Sequence, residues 1–282
     1  MGEFRALGLV TLVTLHEKPF EGHRPRQATS RDGPVHRGAE FSGRSLYEQL
    51  TSHPAGARGA CEYITIPKKT ELSVIRFEIR PENPEINQGR RAELRDMLDA
   101  VAGEEVWYRF STLVPRDFPK GAPQVVVAQW HEQLAQGEPS RRPPLAHRLV
   151  DGVFIVTLWN EETYDRSDGK GHGIILFQDP GYAFGSVYEY VYRIVWSPVG
   201  QGNVTGWRRE QACSFADTAC KPGHWHRFIS YRGEVAKGYY FKFGIYTVRP
   251  FESPLIVDHR AYQRGPNPYA VRATEKIFRS PY

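Results

Sequence analysis

From about residue 70 onward, apolar and polar positions alternate with a period of two through one segment after another. Successive side chains of a strand point to opposite faces, so each such run predicts a half-buried strand. SVIRFEIR (73–80) sets Val74, Arg76, Glu78 and Arg80 against Ile75, Phe77 and Ile79. EVWYRFSTLVP (105–115), QVVVAQWH (124–131), GVFIVTLWN (152–160), EYVYRIVW (189–196) and GYYFKFGIY (238–246) read the same way. RAELR (91–95) is a shorter case, with Arg91, Glu93 and Arg95 opposite Ala92 and Leu94. In the last long run Phe241, Phe243 and Ile245 share a core face, while Tyr240, Lys242, Gly244 and Tyr246 share the other.

Turn-rich loops such as RPENPEINQG, AQGEPSRRPP and ETYDRSDGKGHG separate these runs. With 26 glycines and 21 prolines, long helices are excluded, and no repeat or low-complexity linker divides the chain. Residues 16–60 are rich in Arg, Gly, Pro and His and predict an irregular wrap, with a short helix at RSLYEQL. The expectation is one all-β domain over 1–282, with 1–60 as an N-terminal wrap and two antiparallel sheets in a sandwich or jelly roll. If the polar strand faces adjoin, they merge into a basic, aromatic-lined surface suited to a long acidic polymer. If they do not, each is simply solvated.

A net charge of +5 is a mild cationic bias that suits nucleic acid or a polyanionic sugar. The chain has no recognition-helix pattern, zinc-finger spacing or lysine-rich tail, which disfavours nucleic acid. No run of eighteen apolar residues exists to form a membrane-spanning helix. MGEFRALGLVTLVTL has one arginine before a short apolar run, but Glu3 and the lack of a small-x-small site leave it between a signal remnant and a first strand. Cys213 and Cys220 are close enough to clip a loop, leaving Cys61 unpaired. With His224 and His226 they form C-x6-C-x3-H-x-H, which matches no common zinc spacing, so no metal site is assigned. ETYDRSDGKGHG lacks the Asp-x-Asp spacing and closing Glu of an EF-hand and reads as a turn.

Three blocks in order, RAELR (91–95), QWH (129–131) and YFKFGIY (240–246), resemble those of family 7 alginate lyases, R-[ST]-E-L-R, Q-[IV]-H and Y-F-K-A-G-[IV]-Y. The surrounding text, VIRFEIRP, EEVWYRFSTLVPRDFP, VVAQWHE and RIVWSP, is more similar to the heparin lyase I and family 20 glucuronan lyase group. The resemblance spans roughly residues 70–260 and implies a concanavalin-like jelly roll with a concave substrate groove. It also implies β-elimination on a 4-linked uronic-acid polysaccharide by a secreted or periplasmic monomer that requires no cofactor. Some relatives carry calcium, and nothing in the sequence fixes ligands for it.

By this resemblance Arg91 and Gln129 stabilise the enolate-like carboxylate, while His131 and Tyr246 divide the base and acid roles. Lys242, Tyr240, Arg95, Arg76 and Asn160 are expected to contact substrate. Thr247-Val248 replaces the Asn-Gln that follows the family 7 block, which favours β-1,4-glucuronan over alginate or a heparin-type chain. Residues 207–237 depart from the family as an insertion, expected as an extra hairpin or a rim over the cleft. Other readings stay open at this level. Arg91 and Glu93 form an ion pair, the groove belongs to a binding module without turnover, or Glu78 and Glu93 serve a hydrolase.

Overall fold

A computed structural model describes residues 61–64, 74–85, 89–96, 98–119, 121–132, 142–159, 173–217, 219–235, 239–273 and 275–278. The alternating runs become strands, and quieter segments join them. In chain order these are β1 (Cys61–Ile64), β2 (Val74–Ile79), β3 (Arg90–Arg95), β4 (Glu105–Leu113), β5 (Val125–Glu132), β6 (Leu145–Val150) and β7 (Val153–Leu158). β8 (Ile174–Asp179), β9 (Val187–Val195), β10 (Ser197–Gln211), β11 (His226–Val235), β12 (Tyr239–Thr247) and β13 (Leu255–Gly265) follow. A four-residue helix, α1 (Glu275–Phe278), comes near the end.

The strands form two antiparallel sheets, one of seven strands in the order β1-β2-β13-β4-β9-β10-β11 and one of six in the order β3-β12-β5-β6-β7-β8. The fold is the expected all-β jelly-roll sandwich. Its filling is aromatic, because the inward residues of the alternating strands are Phe, Tyr and Trp. Phe77, Tyr108, Phe110, Tyr190 and Tyr192 come from the larger sheet, and Trp130, Phe154, Phe241 and Phe243 from the smaller. Edge-to-face pairs such as Tyr108–Trp130 at 5.5 Å and Phe77–Phe243 at 5.7 Å join the layers. Each fully buried ring contributes about 3 kcal/mol of transfer free energy.

The charged strand faces do not all adjoin. β2, β4 and β9 lie in the larger sheet, where their polar residues form ion pairs within that sheet. Arg76 bonds Asp258 through Nε–Oδ1 at 2.9 Å, Arg193 bonds Glu105 at 2.6 Å, and Arg109 bonds Glu189. Val271, Ala273 and Ile277 pack against Trp107, Trp207 and Trp225.

Of the hairpin and the rim expected over 207–237, the described residues 207–235 take the hairpin form. They complete β10 and form β11, a hairpin at the edge of the larger sheet, clipped by the Cys213–Cys220 disulfide. β11 meets β8, as in the Phe177–Phe228 contact at 4.9 Å, at the end of the smaller sheet farthest from β3. The expected wrap over 1–60, the turn over 162–172 and Asn160 lie outside the described residues.

Candidate active site

β12 lies between β3 and β5, so three segments distant in sequence share one sheet face. On one flank Tyr246 stands opposite Arg91, Gly244 opposite Glu93, and Lys242 opposite Arg95. On the other flank Lys242 stands opposite Gln129, and Tyr240 opposite His131. The period-two alternation places every one of these side chains away from the core.

Glu93 is the centre of the group. It accepts a hydrogen bond from Gln129 Nε2. Its Oε2 lies 3.8 Å from Arg91 Nη1 and 3.9 Å from Lys242 Nζ. At one end the Arg91 guanidinium sits 4.3 Å from the Tyr246 ring centroid. At the other, Arg95 covers the Tyr240 ring at 3.7 Å, and Tyr240 stacks on His131 at 5.5 Å with an interplanar angle of 13°. His131 Nδ1 lies 3.1 Å from the carbonyl oxygen of Glu132, leaving the ring's other nitrogen for chemistry.

Two successive bulges bend the sheet in the middle of this face. Between Phe243 and Tyr246 β12 takes three steps while β5 takes two, from Ala128 to Val126. Over the same Val126–Ala128 span β6 takes one step, from Arg148 to His147. Val127 and Ala128 therefore both turn to the core, and Val126 faces Tyr246 and Arg148. Gly244 sits at the bulge with φ 140°, where an added Cβ would meet Ala92 O at 2.2 Å. The glycine thus serves close approach of backbones.

Electrostatics separates the two titratable candidates. Burial pushes the His131 imidazole below its usual range, and the cations Lys242 and Arg91 add to this against Glu93 and a backbone hydrogen bond at Glu132. The ring is neutral near pH ~7 and able to accept a proton. Burial raises Tyr246 above the ordinary phenol value, and the pull of Arg91 and Arg148 does not reverse it. Tyr240 is raised as well, again chiefly by burial. Both phenols keep their protons at neutral pH and are suited to donate them.

Of the residues expected at the site, Arg91, Arg95, Gln129, His131, Tyr240, Lys242 and Tyr246 come together. Arg76 does not, since β2 belongs to the opposite sheet and its guanidinium is committed to Asp258. His131 and Tyr246 stand at opposite ends of the group, six residues apart in register along β12, with the bulge between them. Sequence reasoning missed Arg148 on β6, which shares this face next to Tyr246 and donates from Nε to Thr157 Oγ1 at 2.9 Å. Glu78 lies on β2 beside Arg80, so Glu78 and Glu93 occupy different sheets and cannot flank one glycosidic bond. Among the described residues no three His, Cys, Asp or Glu side chains gather as a metal site.

The polysaccharide lyase family profile matches residues 40–263. No curated protein sequence matches the chain. Among solved structures, the endo-β-1,4-glucuronan lyase of the fungus Trichoderma reesei superposes with a TM-score of 0.52 at 14% identity, over 75% of this chain and 88% of that one. An alginate lyase of Pseudomonas aeruginosa gives 0.46 at 15%, over 80% and 92% of the two chains. The family 7 alginate lyase A1-II′, in complex with substrate, gives 0.45 at 19%, over 69% and 79%. The matched span takes in β3, β5 and β12 together, and the chain belongs to the polysaccharide lyases.

Proposed function

We propose that the β3–β12–β5 face cleaves a 4-linked uronic-acid polysaccharide by β-elimination, with β-1,4-glucuronan the preferred substrate. The observation that carries this is the Glu93 cluster, which holds Gln129, Arg91 and Lys242 side by side between His131 and Tyr246. Removing the proton at C5 builds a second negative charge on the neighbouring carboxylate group. Fixed donors aimed at that group stabilise it most where water is excluded. Arg91 supplies a cation, and Gln129 supplies the amide N–H that Glu93 does not use. The C5 proton passes to His131 or Tyr246, the electron pair forms the C4=C5 double bond as the C4–O4 bond breaks, and the Tyr246 phenol gives a proton to the departing O4.

Lys242, Arg95 and Arg148 extend the positive surface for neighbouring uronates. Thr247, where family 7 chains carry Asn, is buried and bonded to the backbone at Gln124 and Arg249, so it offers no amide to substrate. That favours glucuronan over alginate. The scheme uses one chain and no cofactor. The Cys213–Cys220 disulfide suits an oxidising compartment, in keeping with a secreted or periplasmic enzyme.

A second reading has its own observation. Tyr240, not Tyr246, is the phenol stacked directly on His131. Ultraviolet absorbance of the unsaturated product, followed on glucuronan, alginates rich in each epimer, heparin and hyaluronan, tests both. Glucuronan should give the fastest rise. Tyr246→Phe should lower kcat by about 10³-fold with polymer binding kept, and Tyr240→Phe by less than about 10-fold. The reverse order would move the acid role to Tyr240, and no rise on any polymer would reject β-elimination.

A further inference from the structure

We propose that His259 is a positioning residue that pins the central bulge and so sets the spacing between the Gln129–His131 half of the site and Tyr246. The proposal rests on the β-elimination reading for its kinetic consequence, but not for its structural one. His259 belongs to β13 in the larger sheet, and its side chain, 1% exposed, crosses the core to the smaller one. Its Nδ1 lies 3.1 Å from Thr112 Oγ1, and its Nε2 lies 3.4 Å from the Gly244 carbonyl oxygen. Phe77 and Phe243 pack edge-on against the ring at 5.5 and 5.3 Å.

Gly244 and Ile245 on β12, with Val127 on β5, are the residues at which the β12–β5 ladder goes out of step. A bulge deprives backbone groups of their strand partners, and a buried group left unpaired is destabilising. The imidazole supplies a partner for the Gly244 carbonyl from the opposite sheet. A carbonyl only accepts, so the ring carries its proton on Nε2, and Nδ1 accepts from the Thr112 hydroxyl. Burial keeps it in this neutral form, with its pKa pushed down to about 3.

Without such a partner the bulge has less reason to persist. A one-residue slip in a strand sends every following side chain to the other face. Gly244 is two residues from Tyr246 and Val127 two from Gln129, so a change at this point moves the acid relative to the carboxylate donors. A leucine would pack against Phe77 and Phe243 as well as the imidazole does. It would leave the Gly244 carbonyl alone.

The test compares His259→Leu, His259→Gln and Thr112→Val at a temperature where each is folded. The ring-carbon NMR signal of labelled Tyr246, assigned with Tyr246→Phe, reports position independently of turnover. His259→Leu should shift that signal and lower kcat by about 10- to 100-fold with KM within about threefold. His259→Gln, which keeps a long-reach donor, should recover most of both. Thr112→Val, which only frees the ring's far side, should shift the signal in the same direction by less, and it stands in if His259→Leu does not fold. An unmoved Tyr246 signal with unchanged kcat in the folded Leu variant, or in Thr112→Val in its place, would overturn the proposal and make His259 a plain core residue. A wild-type protein inactive on every polymer would instead reject the lyase reading, and the NMR shifts would still decide the positioning.

Discussion

In the proposed scheme Glu93 places a carboxylate where the substrate's own carboxylate would be received, which is unfavourable unless it serves another purpose. Its contacts supply one, since it fixes the Gln129 amide and draws Arg91 and Lys242 to one point, while Arg95 and Arg148 keep the face positive. The pH dependence follows from the two titrating groups. His131 is held below its usual range and Tyr246 above its own, so with His131 as the proposed base and Tyr246 as the proposed acid both are correctly protonated across a wide window. The kcat/KM profile should be flat between about pH 6.5 and 10, with its acid limb below and its alkaline limb above. An acid limb centred above about 7 would remove His131 from the base role. Single residues were legible through the motif blocks that resemble known lyases, as Arg91, Gln129 and Tyr246 were. Arg148 was not, because LAHRLV puts two polar residues side by side, one for the core and one for the site. His259 was hidden likewise in VDHR, where a buried imidazole reads as part of a charged turn.

At the scale of elements, β12 shows what alternation tells and what it leaves out. Its two faces were readable from YYFKFGIY, since Phe and Ile alternate with Tyr and Lys. The bulge was not, because an extra residue against one neighbour leaves no mark in a strand that stays in step with the other. β1, β6, β8 and β13 went unread for a related reason. Each has a mixed or weak pattern and is held by its neighbours in the sheet more than by its own sequence. Arg76 shows the remaining gap, since alternation says that a face is polar without saying to which sheet it belongs. The 207–235 hairpin lies in the sheet opposite the site, and this separates its disulfide from the chemistry. Reduction of Cys213–Cys220 should lower stability by about 2 kcal/mol, the loop-closure value for so short a span, and leave kcat unchanged. Thermal unfolding and turnover measured with and without reductant check both halves.

The whole molecule is a sandwich whose polar core groups set its tolerance of acid. His147 and His259 are buried, and each has its pKa pushed down to about 3. The unfolded chain protonates the same imidazoles near pH ~6.5. Between those values the unfolded state binds more protons, so stability falls as pH falls, by up to about 1.4 kcal/mol per pH unit for each histidine. Denaturant midpoints taken from pH 7 to pH 4 should drop steeply below about pH 6, and a flat profile would mean that these rings find a proton partner in the fold. The fold class was the most legible scale of all, because many short alternating runs between turns leave few architectures open.

β12 pairs with β3 and β5, which precede it by more than a hundred residues, and its bulge is met by a side chain from β13, later still. Closing loops of that length is the slow part of building a β-sandwich. On the proposed reading, a nascent chain has no working site until synthesis has passed His259. The order of the strands along the chain thus makes the face between β3, β12 and β5 one of the last parts of the sandwich to be completed.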